Sequence, residues 1–270
     1  MASLSPSPTE SGSANVSTSK SVNANDSKKI LQDLTLRVEN KENTILYSQL
    51  KNKRPTDPST HEQVQRAYNS VVIKHSIYSS VFKWVPEKYY SLSLSQRAKV
   101  LGAHSTWQLC KSMLMENKAY DPSLDNKNHN DGSYCRFYLI ILQYETSISN
   151  KKLVSEVRAL KKDITKRYDT NKFDFRVASS EDNDRLTGYT HNAVSPFGLL
   201  VDKKESFSII VSKSIQDMET VSKATPFIWM GGGHVNCKVG MAVKDCIHAL
   251  KPLVLDVTEP RNGGDEEMDL

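Results

Sequence analysis

From Ser76 onward the chain alternates between short apolar runs and polar segments with helical spacing, and the run lengths predict strands. Ser76–Val85 reads as extended and is stopped by Pro86. Strand-sized apolar runs follow at Cys110–Met115, Arg136–Tyr144, Phe173–Val177, Ala193–Leu200 and Phe207–Val211, then at Phe227–Met230 and Leu253–Val257. Helices are expected at Ser93–Leu101, opened by a serine and closed by Gly102, and at Leu153–Tyr168, Ser180–Leu186 and Val243–Leu250. Some neighbouring strands are joined by turns and others by helices. That order predicts an α/β fold of the mixed α+β type, a curved mixed sheet or barrel with peripheral helices.

The amino-terminal pattern is different. Residues 1–27 are rich in Ser, Asn, Thr and Pro, carry almost no apolar side chains, and are expected to be a disordered tail. From Lys28 to about Lys51, Ile30, Leu34, Val38, Leu46 and Leu50 form a helical stripe, which predicts an arm that packs on the body or on a second copy. Pro55, Asp57 and Pro58 then mark a linker, so 28–58 is read as arm and linker, with the globular domain over 61–258. Residues 259–270 are expected to be an acidic, disordered tail.

Composition narrows the function classes. No run approaches the length of a membrane-spanning helix, and the amino terminus has neither an apolar secretory centre nor the arginines of a transit peptide. The expected location is the cytoplasm. Cys110, Cys135, Cys237 and Cys246 form no CxxC pair, and no His stands at finger spacing, so no metal, cofactor or disulfide framework is expected. The net charge of +5 is unevenly spread: residues 256–270 carry −5 and 1–60 carry +2, which leaves +8 on 61–255. An excess of that size favours a polyanionic partner. Lys161 and Lys162, in the basic surround of the stripe Leu153, Val157, Leu160 and Ile164, are the candidate phosphate contacts, although most such runs are simply solvated faces.

Three places carry candidate chemistry. Lys111 is alone in the apolar run Leu109–Met115, and period-two alternation puts it on one side with Leu109, Met113 and Met115. In a pocket it would supply a fixed positive charge for a phosphate or a developing oxyanion; otherwise it is a solvent-facing strand residue. Thr187–Gly198 is a loop in which Gly188 suits a left-handed helix cap and Pro196 and Gly198 bracket a turn, a form able to present backbone groups to a ligand. His191 in this loop is a candidate general base or a plain surface residue. Gly231, Gly232 and Gly233 follow an apolar strand and permit close backbone approach to a ligand, or a tight hairpin turn.

Read in order, Leu109-Cys110-Lys111-Ser112, Leu186-Thr187-Gly188-Tyr189, Val194-Ser195-Pro196-Phe197-Gly198, Ile228-Trp229-Met230-Gly231-Gly232-Gly233 and Lys251-Pro252-Leu253-Val254-Leu255-Asp256-Val257 resemble the YbaK / prolyl-tRNA-synthetase-associated family of editing domains. Val85–Tyr90 and Leu101-Gly102-Ala103 make the chain look like its eukaryotic stand-alone branch, over about residues 70–258. The resemblance implies a compact mixed barrel with peripheral helices and a pocket for the aminoacylated 3′ end of tRNA. It implies ester hydrolysis without metal or covalent intermediate, by a lysine and the backbone of a Gly-x-x-x-Pro loop. Lys111 matches that lysine and Pro196 that proline, while Asn192 stands where the family has glycine. The implied substrate-binding residues are therefore Asn192, Ala193, Val194, Ser195, Pro196 and the glycines 231–233. Two functions follow: a trans-editing deacylase of mischarged tRNA, or a non-catalytic adaptor that binds tRNA or an aminoacyl-tRNA synthetase, either of them able to self-associate through the amino-terminal helix.

Overall fold

A computed structural model describes residues 58–124, 131–218 and 226–261. The expected disordered tail, the 28–51 arm and most of the acidic tail lie outside those residues. The described chain opens with α1 (Pro58–Tyr68), so the predicted linker gives way to helix at Pro58, and a π-helical turn over Asn69–Lys74 continues it. Proline suits that first position, where its missing N–H has no helical partner to lose.

Among the described residues, ten strands form three sheets. The largest has β5 (Phe175–Val177), β2 (Cys110–Asn117), β3 (Phe137–Gln143), β6 (Phe207–Ser212) and β9 (Leu253–Leu255) side by side in that order. β2 is antiparallel to both β5 and β3, whereas β3–β6 and β6–β9 are parallel. A second sheet orders β1 (Val81–Trp84), β8 (Cys237–Ala242) and β7 (Phe227–His234), all antiparallel. The third pairs β4 (Thr146–Ile148) with β10 (Thr258–Pro260), so the chain is still in a strand where the acidic tail was expected to begin.

The class is mixed α/β as expected, but the sheets do not close into a barrel. The reason lies along β2. On the side away from β3 it pairs with β5 only at Met115–Asn117, and one parallel bridge ties Leu109 to Trp229 of β7. Between these two points the second sheet leans on the first without joining it.

β3 is the centre of the core, with all seven residues buried. Tyr138, Ile140 and Leu142 pack with Leu153 and Val157 of α3 (Asn150–Ala159), while Phe137 and Leu139 pack with Leu186 of α4 (Ser180–Thr187). Full burial of each such side chain contributes about 1.5–3 kcal/mol. A strand covered on both faces reads as a continuous apolar run, which is why it was legible.

Of the stretch Ser76–Val85, expected to be extended, only Val81–Trp84 is strand, and Ser76 has φ 55° ahead of a turn. Two further expected elements differ. The helix predicted to Tyr168 ends at Ala159: Arg158 Nε donates to the Tyr168 carbonyl (2.7 Å) and Arg167 Nε to that of Lys161 (2.8 Å), folding the segment back. Ile164, expected on the buried stripe, is 74% exposed. The strand predicted over Ala193–Leu200 is irregular although Ala193 and Ser195–Phe197 are buried, because side chains take up its backbone groups. Tyr189 Oη donates to the Phe197 carbonyl (2.6 Å), and Arg66 of α1 donates to the carbonyls of Gly198 (2.8 Å) and Gly188 while its guanidinium lies over the Tyr189 ring. Apolar content there records burial, not a ladder.

Glu116 on β2 is 4% exposed and accepts from Lys118 and from Arg136 Nη2 (2.9 Å). Burial alone would raise its carboxyl, but the hydrogen bonds and charges of Lys118 and Arg136 outweigh it and hold the group below its ordinary value. A depressed carboxyl stabilises the fold above the unfolded-state value and loses that contribution as pH falls through the folded-state value. Glu116→Gln is expected to cost about 1–3 kcal/mol at neutral pH. In urea titrations at a series of pH values the deficit should shrink below about pH 4; a pH-independent difference would contradict the ion-pair account.

Candidate functional site

A cavity of about 530 Å³ opens where the two larger sheets part. Cys110–Met113, the stretch of β2 between its β5 pairing and the Leu109–Trp229 bridge, forms one side, and Trp229–Gly231 of β7 forms another. The loop after α4 supplies Thr190, His191, Asn192 and Val194, and α4 itself Asn183 and Asp184. Tyr89 and Tyr90 arrive on a 3₁₀ turn, Glu87–Ser91, and Lys238 on β8.

Lys111 lines this cavity and is half-buried. Its surroundings refine the period-two argument. Met113 and Met115 pack in one apolar cluster and Leu109 in another with Trp229 and Tyr89, so Lys111 stands at the seam between two clusters. Its Nζ lies 5.5 Å from the centroid of the Tyr144 ring. The next side chain, Ser112, has an Oγ that is buried without a hydrogen-bond partner among the described residues.

Cations and phenol rings alternate from Lys111 along one wall, with Arg97 packed behind the lining residues. Tyr144 is followed by Arg97, 5.6 Å from that ring and 5.0 Å from Tyr90, and then by Lys238, 4.4 Å from Tyr90 and 5.2 Å from Tyr89. Arg97 is held by α2 (Leu94–Leu101), which Ser93 and Gln96 cap reciprocally and Gly102 ends in the left-handed conformation (φ 76°). Its Nε donates to the Leu92 carbonyl (2.9 Å) and Nη2 to that of Tyr90 (2.5 Å). Burial, with a smaller push from the neighbouring Tyr90, raises the Tyr89 phenol far above its ordinary value despite Arg97, so the ring stays neutral. Two lysines and a single carboxylate, Asp184, line the cavity, a balance that favours an anionic ligand.

Asn192 adopts φ 61°. That left-handed conformation is free for glycine, and asparagine is among the side chains that enter it most readily. The departure from glycine therefore keeps the backbone form of the turn. The Asn192 carbonyl accepts from Tyr90 Oη (3.0 Å), Ala193 N–H donates to Thr190 (3.0 Å), and Gly233 N–H donates to the Ala193 carbonyl (3.2 Å).

The structure thus brings Lys111, His191, Asn192, Val194 and Gly231 to one cavity and leaves the other candidates outside it. Ala193, Ser195 and Pro196 are buried behind the turn. Gly232 is packed inside the β7–β8 hairpin, whose actual turn is Val235–Asn236, and Gly233 (φ 93°) admits the backbone of α1, with Gln63 O 2.7 Å from where a Cβ would sit. All three glycines make room for the protein's own backbone, Gly231 for the Val194 carbonyl, and of the three only Gly231 also lines the cavity. Lys161 and Lys162 lie beyond the end of α3, with Lys161 Nζ 5.0 Å from the Tyr168 ring, and neither lines the cavity.

Sequence reasoning missed Lys238, Arg97 and Tyr90. For Lys238 the signal was present, a single lysine in the run Cys237–Ala242, but that run was not read as a strand. Among the described residues, no group of three His, Cys, Asp or Glu side chains is arranged to hold a metal, and no helix is long and apolar enough to cross a membrane. The four cysteines are free thiols, three of them buried, and burial pushes those of Cys237 and Cys246 up to about 12.

No protein-family model matches the chain, and no curated protein matches it. Solved structures do. One is described as a "putative trans-editing enzyme for prolyl tRNA synthetase"; it shares 14% identity at a TM-score of 0.50, over 76% of this chain and 99% of its own. A structure from work on grafting linear epitopes onto scaffold proteins matches with the same values. At that identity the likeness is one of fold: the chain has the mixed α/β architecture of these neighbours.

Proposed function

We propose that the protein is an aminoacyl-tRNA deacylase that acts in trans, hydrolysing the ester of mischarged tRNA. The observation that carries the proposal is Lys111 on the open edge of β2, sharing a cavity with the left-handed Asn192 turn. An aminoacyl ester is already activated. It needs a positioned water or the ribose 2′-hydroxyl as nucleophile, and preorganised donors for the tetrahedral oxyanion. In this reading Lys111 Nζ supplies the charge, the Asn192–Val194 backbone orients the acyl group, and the Lys238 side of the wall adds to the field that draws in the terminal phosphates. The motif resemblance and the fold shared with the neighbour described as a trans-editing enzyme support the same reading. Cytoplasmic location and contact with a synthetase are part of the proposal.

The test is a panel of mischarged tRNAs incubated with the protein while ester loss is followed. Turnover on one member supports the deacylase; tight binding to tRNA with no turnover across the panel replaces it with the adaptor. Binding should be electrostatic. Affinity for tRNA is expected to fall about tenfold or more between low and physiological salt. Reversing Lys161 and Lys162 to Glu should weaken binding without loss of fold, because Lys162 is exposed and Lys161 only partly covered. Unchanged affinity on filter binding would move the RNA face elsewhere.

A further inference from the structure

Lys238 is 5% exposed, on a strand whose six residues are all buried. A buried ammonium is costly unless it is hydrogen-bonded and paired. Here its Nζ donates to Tyr90 Oη at 2.6 Å and lies against the faces of Tyr89 and Tyr90. The same Tyr90 hydroxyl donates onward to the Asn192 carbonyl at 3.0 Å. A phenol has one proton, so the two bonds have fixed directions: the ammonium donates in and the phenol donates out. Accepting from a cation makes a hydroxyl a stronger donor.

The carbonyl at the end of this relay belongs to the left-handed residue of the turn. The N–H of the same peptide unit, that of Ala193, donates to the Thr190 carbonyl, and the next carbonyl, that of Ala193, accepts from Gly233 N–H. From these contacts we infer that Lys238 is a positioning residue: through Tyr90 it fixes the Asn192 carbonyl, and with it the orientation of the turn that lines the cavity with Lys111. The ammonium acts on the site through a neighbour and needs no contact with substrate.

The kinetic part rests on the deacylase reading, and the structural part does not. Tyr90→Phe keeps the ring beneath the ammonium and removes only the relay hydroxyl; Lys238→Met keeps an unbranched stem and removes the charge. On mischarged tRNA each is expected to lower kcat about tenfold or more with little change in KM. The double variant should lose no more than the worse single one, since both break one path. Lys238→Arg should recover part of the rate, because it can still donate to Tyr90. Amide hydrogen exchange supplies the second readout: Ala193 N–H should exchange faster in Tyr90→Phe and Lys238→Met while the β3 amides keep wild-type protection. If Lys238→Met fails to fold, Tyr90→Phe decides both readouts. A wild-type protein inactive on every mischarged tRNA removes the deacylase reading and leaves the positioning role to the exchange result. Wild-type exchange at Ala193 in Tyr90→Phe, or kinetic losses that add in the double variant, would overturn the inference.

Discussion

Lys111→Ala is expected to lose most ester hydrolysis, about a hundredfold or more, while the protein stays folded and still binds tRNA. The size follows from the role the proposed mechanism gives Lys111, a preorganised positive charge next to a developing oxyanion. The folded state should tolerate the change because Lys111 is half-buried at a cavity edge and its backbone pairing with Leu142 needs no side chain. Lys111→Arg should restore little: a planar fork on a longer stem does not reproduce a compact ammonium at the seam between Leu109 and Met113. Single-turnover hydrolysis of a mischarged tRNA, with thermal melting and tRNA binding as controls, checks all three statements. Wild-type turnover in Lys111→Ala would remove the lysine from the mechanism.

Gly231→Ala should have the largest structural effect of any single methyl added to the site. A Cβ on Gly231 would stand 2.1 Å from the Val194 carbonyl oxygen, 2.8 Å from its carbon and 3.3 Å from the Ala193 oxygen. All three are backbone atoms, so no side-chain rotation relieves the clash, and either β7 or the turn must move. Overpacking of this kind costs about 1–3 kcal/mol, and more where backbone has to shift. Because the displaced backbone belongs to the Asn192–Val194 turn, hydrolysis should fall with stability. Gly102→Ala is the control. Its Cβ would meet nothing within 4 Å, and only the left-handed φ of 76° opposes it, worth about 1–2 kcal/mol. Urea unfolding and turnover of the two variants, measured side by side, check the contrast. A Gly231→Ala protein with wild-type stability and rate would mean that the turn is free to retreat.

The elements read correctly from sequence are those whose signals are local. α2, α4 and α5 (Val243–Leu250) carry their own caps or amphipathic stripe, β3 is a nearly continuous apolar run, and β2 and β6 are apolar runs broken by polar residues. Failures came where a distant side chain decides the backbone. The 193–200 stretch looks like a strand until Arg66 and Tyr189 are seen to occupy its carbonyls, and the α3 stripe continues past Ala159 until two arginines turn the chain back. At the cavity, Lys111 stands out in the sequence because a charge in an apolar run demands a reason. Lys238 carries the same mark, but Gly240 and the short run around it hid the strand. The glycine run was recognised as a place of close approach, and what approaches turned out to be the Val194 carbonyl and the α1 backbone.

The reach of Arg66 bears on where the smallest self-sufficient piece of this protein can begin. The motifs that carry the resemblance start near residue 70, and a fragment cut there would retain every residue of the cavity. It would also remove the Arg66 donor from the Gly188 carbonyl, leave the Gly198 carbonyl only the longer bond from Tyr189 Oη (3.5 Å), and strip the Tyr189 ring of its guanidinium. Gly198 has no space to spare on that side, since the Arg66 carbonyl is 2.9 Å from where its Cβ would sit. The loop bearing Asn192 is therefore anchored at both ends by a helix that contributes nothing to the chemistry, and a fragment expected to hold that loop in shape has to begin at Pro58.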